Sequence, residues 1–362
     1  MMSEASRKTT SNKKPVLSGL CLEELFALLS DYPAFRARQI HRWICSGVKS
    51  FEAMNNVPLS LRKELSEKYE LYPFTLVTSQ KDSDGTEKIG IALEDGNVIE
   101  AVLLQDGKGR LTACLSTQAG CPAACVFCKT GSLGFKRNLC ASEITGQFLL
   151  LKSYREQNTK EKEISHIVIM GMGEPILNLE ELRKALLFFS ESEGLNISKR
   201  RITISTCGIE KGIIDLTENG PDVRLALSLT TAIEELRGRL MPLTKGSSLS
   251  SIRQALIYYQ QKRKRRLTLE VVLLKGINTS QRDAEAIAKF IKTEPELDAV
   301  VNLIPWNSVD GLMFEERPLC APSAKELALF AEALESLHIT VTRRFKKGTQ
   351  ISGACGQLGV VV

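Results

Sequence analysis

The chain has 362 residues, of which 43% are hydrophobic and 25% charged, and its formal net charge is +6. That length suits one large domain with a small appendage, and the composition excludes disordered and fibrous classes. No apolar run reaches the roughly 18 to 20 residues of a membrane helix. The polar start with Arg7, Lys8, Lys13 and Lys14 opens no signal-peptide core, so a cytoplasmic location is expected.

Residues 1–15 are polar and aperiodic, and are expected to be disordered. Residues 16–75 read as a helical accessory module. Leu22, Leu25, Phe26 and Leu29 share one face, and Phe35–Ile44 and Leu59–Tyr69 follow after short polar breaks. Residues 76–110 read as a β-meander with turns at Asp84-Gly85 and Asp95-Gly96.

From 111 to 345 short apolar strands alternate with amphipathic helices. The strands are Leu111–Ser116, His166–Met170, Arg201–Ser205, Val223–Leu229, Leu267–Leu274 and Ala299–Ile304. The helices are Ser142–Ser153, Leu179–Phe189, Gly212–Glu218, Leu249–Gln261 and Ser280–Ile291, the last opening on a Ser280/Asp283 capping box. This alternation predicts an α/β fold, an incomplete (βα)6 barrel open on one side with function at the strand C-terminal ends. A final strand, Ile339–Arg344, leads to a tail over 346–362.

Ten cysteines without a secretory signal argue against a disulfide framework, and three histidines supply a Cys/His zinc site poorly. Cys121, Cys125 and Cys128 form a CxxxCxxC run just after the first core strand. Thiolates are the usual ligands of iron–sulfur clusters, and three of them leave one iron of a cubane open to a small molecule. A zinc knuckle short of a ligand, or three structural cysteines, is the bland alternative. Basic clusters at Lys262–Arg266, at Lys199–Arg201 and at Arg343, Arg344, Lys346 and Lys347 point to a phosphate-rich partner.

The sequence resembles the radical SAM superfamily and, more closely, the RNA adenine C2 methyltransferases of the RlmN/Cfr family. Matching segments run in order along nearly the whole chain. They are HRWI at His41–Ile44, GCxxxCxFC at Gly120–Cys128, GxxGFxRNL ending at Leu139, and MGMGEPILN at Met170–Asn178. They continue with SKRR at Ser198–Arg201, LIPWN at Leu303–Asn307 and ACGQL at Ala354–Leu358.

The resemblance implies a [4Fe–4S] cluster on Cys121, Cys125 and Cys128. It implies S-adenosylmethionine (SAM) held by Gly173, Glu174, Ser205, Ser228, Leu229, Thr230 and Asn307. Adenine C2 cannot attack a methyl sulfonium, so the family first methylates a cysteine, matched here by Cys355. A radical on that methyl then adds to C2, and a second cysteine, matched by Cys114, resolves the adduct as a disulfide forms. Glu100 aligns with the proton acceptor. The substrate implied is 23S ribosomal RNA and possibly tRNA, with a flavodoxin or ferredoxin as electron donor, a monomeric chain and an RNA-binding N-terminal module. Two alternatives are a C8-adenine methyltransferase of the Cfr type and a non-catalytic iron–sulfur or zinc RNA-binding protein. Thr230, Cys207 and Gln350 depart from the residues the family commonly shows.

Overall fold

The computed structural model describes residues 14–158, 163–343 and 347–359. Arg344 and Lys346 of the third basic cluster and residues 1–13 lie outside them. The N-terminal module contains α1 (Leu22–Leu28), α2 (Ala34–Cys45) and α3 (Leu59–Lys68). On α2 the buried residues Ala37, Ile40, His41 and Ile44 recur at the helical period, so one face seals against the core and the other stays wet.

Three strands follow: β1 (Phe74–Lys81), β2 (Glu87–Leu93) and β3 (Val98–Gln105). The core begins with β4 (Leu111–Cys114), a small hairpin of β5 (Gln118–Gly120) and β6 (Phe135–Asn138) around the short α4 (Lys129–Ser132), then α5 (Ala141–Asn158). After these come β7 (Ile164–Ile169), α6 (Leu179–Ser190), β8 (Ile202–Thr206), α7 (Glu210–Asn219), β9 (Arg224–Ser228) and α8 (Glu234–Leu240). The rest is α9 (Leu249–Arg263), β10 (Leu267–Leu273), α10 (Gln281–Lys292), β11 (Ala299–Pro305), the hairpin β12 (Met313–Phe314) and β13 (Arg317–Pro318), α11 (Ala324–Ser336) and β14 (Val341–Arg343).

One ten-stranded sheet runs β1-β2-β3-β4-β7-β8-β9-β10-β11-β14. From β4 onward every neighbouring pair is parallel, so the expected six strands are present and β14 adds another beside β11. The meander is continuous with this core, because β3 pairs antiparallel with β4, placing Val102 opposite Cys114. Parallel strands buried on both faces read as near-continuous apolar runs, which is why their positions were legible. The Ser280 box also forms, with Ser280 N donating to Asp283 Oδ2 at 3.0 Å. Because the strands are parallel, Cys114, Ile169, Thr206, Ser228 and Pro305 all arrive at one end of the sheet.

Candidate functional site

The CxxxCxxC loop leaves β5 at Gly120, whose φ is +72°; a Cβ there would sit 1.8 Å from the Gly134 carbonyl oxygen. Only glycine permits that approach of loop to β6. Cys128 N closes a turn on Cys125 O at 3.1 Å, and Val126 N reaches Leu240 O at 3.0 Å. The Trp306 indole N–H donates to Phe127 O at 2.9 Å, tying the loop to the end of β11.

None of the ten cysteines is joined in a disulfide. Enclosure by protein pushes the Cys121 thiol up to about 12 and raises those of Cys125 and Cys128. Three such thiols on one loop fit iron as their partner, since a soft cation releases the proton that burial otherwise retains. Among the described residues no three His, Cys, Asp or Glu side chains converge on a single-ion site.

These thiols face a cavity of about 160 Å³ at the strand C-terminal ends. Gly173, Glu174, Ser205, Ser228 and Asn307 line it together with Cys355. Gly173 has φ +105°, and a Cβ would lie 2.6 Å from Gln118 Cβ. The Glu174 carboxylate accepts from Cys207 N at 2.7 Å and Ile176 N at 3.2 Å, while burial pushes its pKa up. Ser205 Oγ and Ser228 Oγ are 3.2 Å apart. Asn307 Oδ1 is buried without a hydrogen-bond partner, an acceptor suited to a polar ligand.

Leu229 and Thr230 do not line this cavity. Their N–H groups both turn onto Glu270 O, at 2.9 and 3.1 Å, Thr230 takes a left-handed φ of +57°, and both are buried. Cys207, Glu270, Met241 and Trp306 join the lining instead. Beneath it Arg237 is almost fully buried, donating to the carbonyls of Leu229, Cys207 and Ser228. Sequence reading missed Glu270 and Arg237. A charged residue inside an otherwise apolar strand was the available signal for Glu270; Arg237 lies in an ordinary-looking charged helix.

A second cavity of about 130 Å³ adjoins the first and is lined by Leu104, Cys114, Thr130, Lys347 and Leu358. Cys128, Met170, Asn307 and Cys355 line both. Cys355 is half-buried, and its carbonyl accepts from Asn307 Nδ2 at 3.0 Å. The segment after it docks on the cysteine loop: Lys129 N donates to Gly356 O at 2.8 Å and Thr130 Oγ1 to Leu358 O at 2.6 Å.

Glu100 lines neither cavity. It is buried on β3 in an ion pair with buried Lys88, Nζ to Oε1 2.8 Å, and its other carboxylate oxygen accepts from Gly359 N. Two of the basic clusters also fall elsewhere. Lys199–Arg201 precedes β8 and Lys262–Arg266 precedes β10, both at the strand N-terminal ends, opposite the cavities. Arg265 is held in a two-pronged pair by Asp222, Lys262 by Glu218 and Arg266 by Asp298. Those three cations are ion-paired at the surface, and among the described residues of the third cluster Lys347 reaches a cavity. No described helix is long and apolar enough to cross a membrane.

The family model described as the radical SAM superfamily matches residues 115–291, and that of the ribosomal RNA large subunit methyltransferase N-terminal domain matches 17–71. The chain is 47% identical to the probable dual-specificity RNA methyltransferase RlmN of Treponema denticola over 97% of each chain. It is 40% identical to the dual-specificity RNA methyltransferase RlmN of Lawsonia intracellularis over 93% of each. A radical SAM methyltransferase of Sphaerobacter thermophilus superposes with a TM-score of 0.88 at 36% identity, over 95% of this chain and 99% of that one. A cysteine loop at the mouth of an open parallel sheet and relatives of this similarity along nearly the full length agree: the chain belongs to the RlmN family of radical SAM dual-specificity RNA methyltransferases.

Proposed function

We propose that this chain methylates C2 of an adenine in 23S ribosomal RNA and in tRNA, with Cys355 carrying the methyl group and Cys114 releasing the product. The observation that supports this most is the position of Cys355, which lines both the cavity of the three loop cysteines and the neighbouring cavity of Cys114. A [4Fe–4S] cluster on Cys121, Cys125 and Cys128 would supply the electron that splits SAM, with SAM held by Glu174, Ser205, Ser228 and Asn307.

The chain's own residues divide the work by cavity. In the first, Cys355 accepts a methyl group through its sulfur, the most nucleophilic side chain available. In the second, Cys114 attacks the Cys355 sulfur once that carbon is bonded to adenine. An S–S bond forms, the S–C bond breaks, and the departing carbon takes up a proton to become the methyl group. Asn307 steadies the Cys355 backbone during both. Glu100 is assigned the C2 proton; in the structure its Oε2 accepts from Gly359 N.

Anaerobic reconstitution tests the cofactor: about four irons per chain, as a cubane requires, and 5′-deoxyadenosine on reduction with SAM. Mass spectrometry of ribosomal RNA and tRNA from cells with and without the protein then locates the methyl group. A methyl at C8, or none, overturns the assignment. With Cys355→Ala, iron loading persists and RNA methylation is abolished; methylation by that variant removes the carrier role.

A further inference from the structure

The segment that carries Cys355 is fastened at a place remote from the cysteine loop. Gly348 N donates to Asp84 Oδ2 at 2.9 Å, and Gln350 N donates to Asp82 Oδ2 at 3.0 Å. Both carboxylates belong to the tight turn between β1 and β2. The same two side chains hold that turn together: Asp84 Oδ1 accepts from Thr86 N at 2.9 Å, and Asp82 Oδ1 accepts from Ser83 Oγ at 3.0 Å. Contact is close, since a Cβ on Gly348 would come within 2.8 Å of Thr86 Cγ2.

The fastening is transmitted toward the reactive sulfur. Gly353 N donates to Gly348 O at 2.8 Å, closing a small loop whose far end lies two residues before Cys355. Burial alone would raise the Asp84 carboxyl, yet the hydrogen bonds from Thr86 and Gly348 outweigh it and hold the group below its ordinary value, so it is an anionic acceptor at neutral pH. N–H bonds to a carboxylate are stronger than neutral ones.

We infer that Asp82 and Asp84 are positioning residues for Cys355: the β1–β2 turn clamps the base of the tail and sets where the carrier sulfur stands between the two cavities. This rests on the carrier role proposed above. It gives the meander a task in the reaction. A sulfur that must serve two cavities needs a fixed pivot, and two carboxylates on a rigid hairpin supply one. With the pivot loosened, Cys355 spends less time against either cavity wall.

The test uses the reconstituted full chain with Asp82→Asn and Asp84→Asn together. Hydrogen exchange at the amides of 348 and 350 should accelerate about tenfold or more, the factor expected for losing one charge-assisted hydrogen bond. Mass-resolved alkylation of Cys355 should accelerate, iron content should hold, and kcat should fall with KM for RNA unchanged. Asp84→Asn alone, whose side-chain oxygen can still close the turn on Thr86, keeps the test open if the double variant does not fold. Unchanged exchange and alkylation overturn the clamp, as does a fall in iron content or urea midpoint accompanying every other change. Exchange and alkylation do not depend on methyl transfer, so a failure of the carrier role in the unmodified enzyme leaves them separately readable.

Discussion

Lys88 and Glu100 form an ion pair in which both side chains are nearly inaccessible, with Nζ and Oε1 2.8 Å apart. Replacing Lys88 by Met keeps the volume of the stem and deletes the charge, leaving Glu100 as an uncompensated buried carboxylate. Breaking one side of such a pair costs about 3–5 kcal/mol. Lys88→Met with Glu100→Met removes both charges of the pair and leaves the Gly359 N–H without its acceptor, a cost of about 1–3 kcal/mol. The double variant should therefore be more stable than Lys88→Met alone. Urea unfolding followed by tryptophan fluorescence reads this in two places, because Trp43 lies on α2 and Trp306 is buried against the cysteine loop. If the double variant loses the sum of the two single losses, the pair contributes nothing as a pair and the reasoning fails.

Gly120→Ala must displace the Gly134 carbonyl from 1.8 Å and adopt φ +72°, so the loop should misplace its thiols; iron bound per chain after anaerobic loading should drop to a small fraction of wild type, whereas wild-type loading would refute the steric argument. Burial raises the Cys121 thiol from 9.0 to about 12, so the folded, iron-free chain favours the protonated form. Its contribution to stability is whole below about pH 9 and is lost as pH climbs toward 12, and iron uptake, which expels the proton, should strengthen from about pH 7 to 9 at fixed chelator. Occupancy that falls over that interval contradicts the thiol assignment. Cys114→Ala should leave the protein covalently joined to RNA through Cys355, seen as a retarded band on denaturing gels; normal turnover by that variant removes the resolving role.

Much of this architecture was readable because its signals are local. The six parallel strands are short, mainly apolar runs, and the cysteine spacing is confined to one loop. Helices α8 and α11 went unread, and so did the hairpins β5–β6 and β12–β13, whose short strands show too few residues for a period to register. The environment of Lys88 was illegible for another reason. On its strand it follows Glu87 at the head of an apolar run, and its ammonium is buried in a pair with Glu100, whose second oxygen is capped by Gly359 at the far end of the sequence. The same holds for Asp82 and Asp84, which read as ordinary turn residues until the tail is seen to lie on them. Thr230 shows the converse: Ser228 lines the cavity, but two residues further on Thr230, in a left-handed conformation, does not.

The strand that bears Cys114 is an interior one, bonded to β3 on one side and to β7 on the other, with Val102 and Val168 beside the cysteine. An edge strand can peel or slide; this one cannot without unzipping the sheet. Under the proposed reaction, whatever travel the two sulfurs require thus falls on one partner alone. Attempts to fit a bulkier or more distant base should accordingly alter the length and stiffness of the Cys355 segment and leave the anvil strand untouched.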